Sequence, residues 1–349
     1  MQTFKKLFFL LNPHEKKHAG LLLLMIIIMA LLDTIGVASI YPFMVVLTNP
    51  GLIETNFILN KMFEVSKIFG VENNQQFLFA LGILMFVILV ISIAFKALTN
   101  YTQVRFVVMR EYSICRRLVE GYLHQPYSWF LSRHSADLGK TILSEVATII
   151  GAGISPMMTL ISTSIITIAV ITLLVIADPK LALIVGLSFT VAYGIIFYFT
   201  KKILFRAGEK RLENNQLRFT TVIEAFGASK EVKVGGLEQS YISRFSNAAR
   251  TFARSMASEA VISLLPRYAL EIIAFGGILI IILTSIGQSG EFNSILPIIS
   301  LYVFAGYRLM PALQQIYGSL TQLTFVGPSL DKLYDDIKSL KPFEENQDL

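Results

Sequence analysis

Residues 149–200 read IIGAGISPMMTLISTSIITIAVITLLVIADPKLALIVGLSFTVAYGIIFYFT, two long apolar runs, Ile149 to Ala177 and Leu181 to Thr200, divided only by Asp178-Pro179-Lys180. Each run holds about the 17–25 predominantly apolar residues that carry a helix across a bilayer. Four more such runs lie outside this pair, at Leu21 to Leu47, Phe77 to Leu98, Ala269 to Ile286 and Ile295 to Leu313. Their spacing is uneven. The turn Gly287 to Ser294 joins the fifth and sixth, whereas about fifty residues separate the second from the third and about seventy the fourth from the fifth. Helix pairs connected in this way hang far into one compartment and barely surface in the other.

Composition agrees with an all-α, polytopic membrane protein. Hydrophobic residues make up 54% and charged residues 15% of the 349, too little polar surface to cover a water-soluble globule. A soluble receptor or nucleic-acid binder is thereby excluded, and the net charge of +6 needs no nucleic acid to explain it. Lys5, Lys6, Lys16 and Lys17 precede the first run, but that run is too long for a signal peptide and no small-residue cleavage site follows. Cys115 is the only cysteine, so no internal disulfide forms. Lys61, Lys67 and Lys180 lie on one side of the spans and the other twenty-seven lysines and arginines on the opposite side. The excess marks the cytoplasm, which places both termini and both long connections there.

Those connections keep helical periodicity. Val104, Val107, Val108, Ile114, Leu118 and Tyr122 recur at helical spacing after the second span, and Leu204, Leu212, Phe219 and Ile223 after the fourth. The spans therefore continue as cytoplasmic stalks, which turn at two short elements. At the first, Pro126 interrupts the helix ahead of Tyr127, Ser128, Trp129 and Phe130; at the second, Gly235-Gly236 precedes Leu237, Glu238 and Tyr241. Either these are ordinary turns whose aromatics tuck between the stalks, or both tips dock into a partner. On the outer side, Ile58, Met62, Val65 and Phe69 share one helical face, spaced to lie on the membrane surface.

Ionisable residues within spans are costly in hydrocarbon and face a cavity or one another. Arg308 lies about 20 Å below the outer start of the sixth span and Arg267 about 28 Å below the outer end of the fifth, both in the inner half. Glu271 stands one turn from Arg267, so the two form either a local ion pair or part of a cavity wall. Asp33 lies at a depth that suits pairing with Arg308 or lining the cavity alone. The four histidines have no zinc-ligand spacing, and no carboxylate pair or Ser/His/Asp set suggests covalent chemistry on a substrate.

With these features together, the chain resembles the membrane domain of six-helix ABC exporters. The resemblance rests on the loop pattern, on Gln125 to Phe130 with Ser135-Ala136-Asp137-Leu138, and on Ser229-Lys230-Glu231-Val232-Lys233-Val234-Gly235-Gly236-Leu237-Glu238. Within that family, Tyr307-Arg308-Leu309-Met310-Pro311-Ala312-Leu313 and Ser263 to Glu271 are most similar to the PglK-type branch, flippases of lipid-linked oligosaccharides. The resemblance implies a homodimer in a bacterial inner membrane, opening its cavity alternately inward and outward. It also implies ATP, with Mg, bound by a nucleotide-binding domain that the tip residues contact. No Gly-x-x-x-x-Gly-Lys-Ser/Thr loop occurs here, so the ATP-binding domain is expected in a longer form of the chain or on a separate subunit, with no ATP hydrolysis by this chain alone. The expected layout is an amphipathic elbow at 1–18, the six-span domain at 19–315 and a connector at 316–349. The expected function is ATP-driven movement of an amphipathic, anionic, lipid-linked substrate. Alternatives are a peptide, lipid or drug-like cargo, or an ion-coupled transporter, although the inverted repeats or broken helices usual for the latter are not evident.

Overall fold

The computed structural model describes the backbone of all residues except 1, 50, 52, 54–56, 68–70, 72, 132, 178, 289–291 and 341–349. Some side chains, chiefly in the fourth to sixth spans and including those of Ile58 and Arg308, also lie outside the described residues. Everything regular in the described part is helical. The elements are α1 (Gln2–Leu10), α2 (Pro13–Ala38), α3 (Ile40–Thr48), α4 (Phe57–Lys67), α5 (Asn74–Leu123), α6 (Tyr127–Leu131), α7 (135–177), α8 (Pro179–Gly227), α9 (Ser229–Val234), α10 (Glu238–Gln288) and α11 (Phe292–Ser339).

Helix length explains the shape. α5, α8, α10 and α11 hold 50, 49, 51 and 48 residues, which is about 75 Å each at 1.5 Å per residue. A hydrocarbon core is about 30 Å thick, so more than half of each helix lies outside it, as the apolar stripes on the stalks predict. Among the described residues, the runs Pro13–Thr48, Asn74–Leu123 and Ser135–Ile176 are long and apolar enough to cross a membrane. α8, α10 and α11 carry the remaining three apolar stretches.

Local chemistry sets the ends. α2 starts at Pro13, whose missing N–H costs nothing at a first helical position, and the Asn12 amide donates to Glu15 Oε2 at 2.9 Å. The first span is broken at Ser39 into α2 and α3. Pro42 explains the break, because its ring displaces the carbonyl four residues earlier, that of Ala38. The described residues of 1–18, expected as an amphipathic elbow, divide into α1, a break at Leu11 and Asn12, and the first turns of α2. Leu7, Leu10 and Leu11 of the elbow are fully buried. Lys6 pairs with Asp331 at 2.8 Å, and Phe9 meets Tyr334 edge-on at 4.9 Å. The elbow is thereby fastened to the end of α11.

The main core joins α1, α2, α5, α7 and α11 through Leu22, Ile26, Ile114, Ile149, Ile154, Met157, Val326 and Leu330. α11 runs unbroken from the sixth span into the expected connector as far as Ser339, with Tyr317, Phe325 and Leu333 buried. α8 crosses α11 so closely that a Cβ on Gly208 would lie 2.0 Å from the Phe325 carbonyl oxygen. Only glycine permits that approach. At the end of the bundle away from the tips a second cluster packs Leu59, Met62 and Phe63 of α4 against Val45, Val46 and Phe77, with Phe63 and Phe77 edge-to-face at 5.2 Å. Met62 therefore contacts the bundle, Val65 stays exposed, and Phe69 and the Ile58 side chain lie outside the described residues.

Candidate functional site

The first tip forms because α5 cannot pass Pro126. The Gln125 side-chain amide donates to the Gly121 carbonyl at 2.9 Å, closing the helix end, and the chain restarts as α6 with Trp129 N–H on the Pro126 carbonyl at 2.9 Å. Its four candidate residues point in different directions. Tyr127 and Ser128 are exposed, Tyr127 by 78%. Trp129 is half-buried: its ring lies 5.4 Å from Tyr122 and 4.3 Å under the Arg133 guanidinium, and Phe130 meets it edge-on at 5.1 Å. Arg133 in turn donates to Asp336 Oδ1 at 2.5 Å, and the Tyr122 hydroxyl donates to Asp336 Oδ2. Burial and the Asp336 carboxylate both push the Tyr122 phenol up. The tip is thus clamped to the end of α11, with Trp129 turned inward and Tyr127 outward.

The second tip is a helix stop. Leu237 N–H bonds the Val232 carbonyl at 3.0 Å and Gly236 N–H that of Lys233 at 3.4 Å, with Gly236 at φ +62°. This pair of bonds is the Schellman arrangement, and the left-handed residue favours glycine. Leu237 remains 47% exposed and Tyr241 is half-buried. The Glu238 carboxyl is held below its ordinary range by its own backbone amide and by Lys233, 3.0 Å away. The amides of Gly235 and Gly236 are already used by α9 carbonyls, so this glycine pair does not form a phosphate cradle.

Between tips and membrane lies a buried polar network absent from the sequence reading. Arg211 of α8 donates to Glu145 of α7 at 2.8 Å, to Thr148 at 2.7 Å and to Ser329 of α11 at 2.8 Å. The Asn215 amide donates to Glu145 at 2.8 Å, and Arg218 stacks over Phe252 of α10 at 4.1 Å. Lys140 and Lys332 both donate to Gln216, at 3.1 and 3.0 Å. Burial, with Lys332 nearby, lowers the Lys140 amine to about 8 against the opposing pull of Glu145 and Asp137. One sequence signal existed: Arg211 follows Leu204 by seven residues, on the same helical face. A π-helical turn at Thr141–Glu145 carries Glu145 into the network.

The intramembrane candidates are distributed less simply. Asp33 is 1% exposed, accepts a 2.6 Å hydrogen bond from Ser92, and has the Lys96 ammonium at 3.6 Å. Neither Ser92 nor Lys96 was assigned a role from sequence, since a serine in an apolar run carries no signal of its own. Arg267 Nε bonds Glu271 at 3.0 Å, the local pair, with both side chains partly exposed. Arg308 lies on α11 with its side chain outside the described residues. A family model described as the ABC transporter transmembrane region matches residues 38–311, a range that includes both tips, Arg267, Glu271 and Arg308.

Proposed function

Because this chain belongs to the ABC transporter transmembrane family, we propose that it is the membrane subunit of an ATP-driven flippase for an amphipathic, anionic, lipid-linked substrate, working as a homodimer in a bacterial inner membrane. In typical members of this family the membrane region is partnered by a nucleotide-binding domain. The observation that carries the reading is the pair of tips. Tyr127 and Leu237 stand exposed at the far ends of helices about 75 Å long, where a cytoplasmic ATP-binding partner is reached before any other element. Tyr127, Ser128 and Leu237 supply the contact surface, while Trp129, Phe130, Glu238 and Tyr241 position it.

The substrate class rests on charge within apolar walls. Two protomers bring two copies each of Arg267 and Arg308 to the inner half of the spans, and a guanidinium fork suits phosphate oxygens better than a point charge does. Asp33, with Ser92 and Lys96, joins the first two spans to each other. The experiment is reconstitution in liposomes with the ATP-binding partner, following a labelled polyprenyl-diphosphate saccharide from one leaflet to the other. Arg308→Ala is expected to abolish ATP-dependent movement with the dimer intact, and Arg308→Lys to restore only part of it. Movement that follows a proton or sodium gradient without ATP would overturn the proposal.

A further inference from the structure

Just below the membrane, α8 and α10 run side by side and leave a cleft of about 470 Å³ lined by Arg206 and Lys210 of α8 and Thr251, Arg254, Ser255 and Ser258 of α10. Helical spacing builds it. Arg206 and Lys210 are four residues apart, and the α10 residues follow one another by three, one and three, so each helix offers one continuous stripe. Ser255 is buried between the helices, whereas Arg206, Lys210 and Arg254 are exposed at the rim.

The charge here is one-sided. No aspartate or glutamate lines the cleft, and among the described residues none of its three cations stands in an ion pair. Of the other arginines on these helices, Arg211 pairs with Glu145, Arg244 with Glu224 and Arg267 with Glu271, whereas Arg218 lies over the Phe252 ring and neither it nor Arg250 stands in an ion pair among the described residues. What sets the cleft apart is three cations on one lining. Thr251 and Ser258 already donate to the carbonyls of Asn247 and Arg254, so the charged donors left for a ligand are the guanidinium and ammonium groups, with the Ser255 hydroxyl at the cleft floor. Forked and multiple donors of that kind are what a group with several anionic oxygens requires. Arg206 and Lys210 follow Thr200, the last residue of the fourth apolar run, by about 9 and 15 Å. That depth is the head-group layer and the water just beneath it.

We propose that this cleft is a binding site for a phosphate or diphosphate group at the inner membrane face. The inference deepens the lipid-linked reading and rests on it for one point, that the head group of the substrate is held here before it enters the bundle.

Binding separates the two ideas. The full chain in phosphatidylcholine nanodiscs is titrated with inorganic pyrophosphate by calorimetry, and retention of phosphatidylglycerol against phosphatidylcholine is read by native mass spectrometry. An Arg206→Gln, Arg254→Gln variant is expected to lose about ten-fold or more in binding, and a Lys201→Gln, Lys202→Gln control outside the cleft less than about two-fold. Loss confined to free pyrophosphate assigns a soluble ligand and loss confined to the lipid a membrane one; each supports the site. Equal losses in the cleft and control variants, or binding of neither probe by the unmodified chain, would overturn it. A flipping assay that fails while both the cleft binding and its loss in the cleft variant persist counts against the lipid-linked reading alone, so a failed flipping assay and a failed cleft give different results. An Arg206→Lys, Arg254→Lys variant, which keeps the charge, is expected to retain part of the binding and guards against loss of fold.

Discussion

Arg211 and Glu145 are 3% and 5% exposed, and each is hydrogen-bonded from several sides, the two terminal nitrogens of Arg211 to Glu145, Ser329 and Thr148. A buried pair of this kind is costly to break and cheap to replace as a unit. Arg211→Ala is expected to destabilise the chain by about 3–5 kcal/mol, and the paired change Arg211→Met, Glu145→Leu by much less. Chemical unfolding in detergent measures both, and additive losses would deny the coupling. Lys140 gives a pH signature nearby. Its folded value of about 8 lies below the ordinary lysine value of 10.5, so between those values the unfolded chain binds the extra proton and stability rises with pH. Below about 8 the contribution is flat at its least favourable level. Lys140→Met is expected to remove the rise, whose slope reaches about 1.4 kcal/mol per pH unit, from thermal unfolding followed between pH 7 and 11. At this scale the sequence showed little: an arginine on a stalk reads as solvated until Ser329, more than a hundred residues away, is brought beside it.

The elements themselves were legible from periodicity and breakers. Pro126 and Gly235-Gly236 mark the two stops, and the structure ends α5 at Leu123 and α9 at Val234. What the pattern leaves open is which tip side chain points away from the stalks, because a five-residue helix has too few positions to define an apolar stripe. Tyr127 and Trp129 looked equivalent, yet Asp336, through Tyr122 and Arg133, turns Trp129 inward. The two substitutions should therefore behave differently. Tyr127→Ala is expected to uncouple ATP hydrolysis from transport with little change in unfolding midpoint. Trp129→Ala should cost roughly 2–3 kcal/mol, below the range for a fully buried tryptophan, because this ring is only half-buried. Parallel measurement of stability and coupled transport checks both; equal destabilisation by the two would remove the distinction.

For the whole molecule, orientation is the quantity on which the rest depends. With Cys115 replaced by serine, an impermeant thiol reagent applied outside intact cells is expected to modify a cysteine introduced at Asn73 and spare one at Glu213. The reverse pattern would invert the topology. Six spans, two long stalk pairs and the side on which positive charge accumulates follow from the sequence alone, because each depends on runs of neighbouring residues and on the fixed thickness of a bilayer. Only the tertiary structure decides the rest. The elbow's fastening to Asp331 and Tyr334, the close crossing at Gly208, the Arg211 network and the basic cleft between α8 and α10 each join residues far apart in the chain. Apolar and basic positions on long helices look alike in one dimension, and it is the rotation and depth of one helix against the next that determines which of them meet.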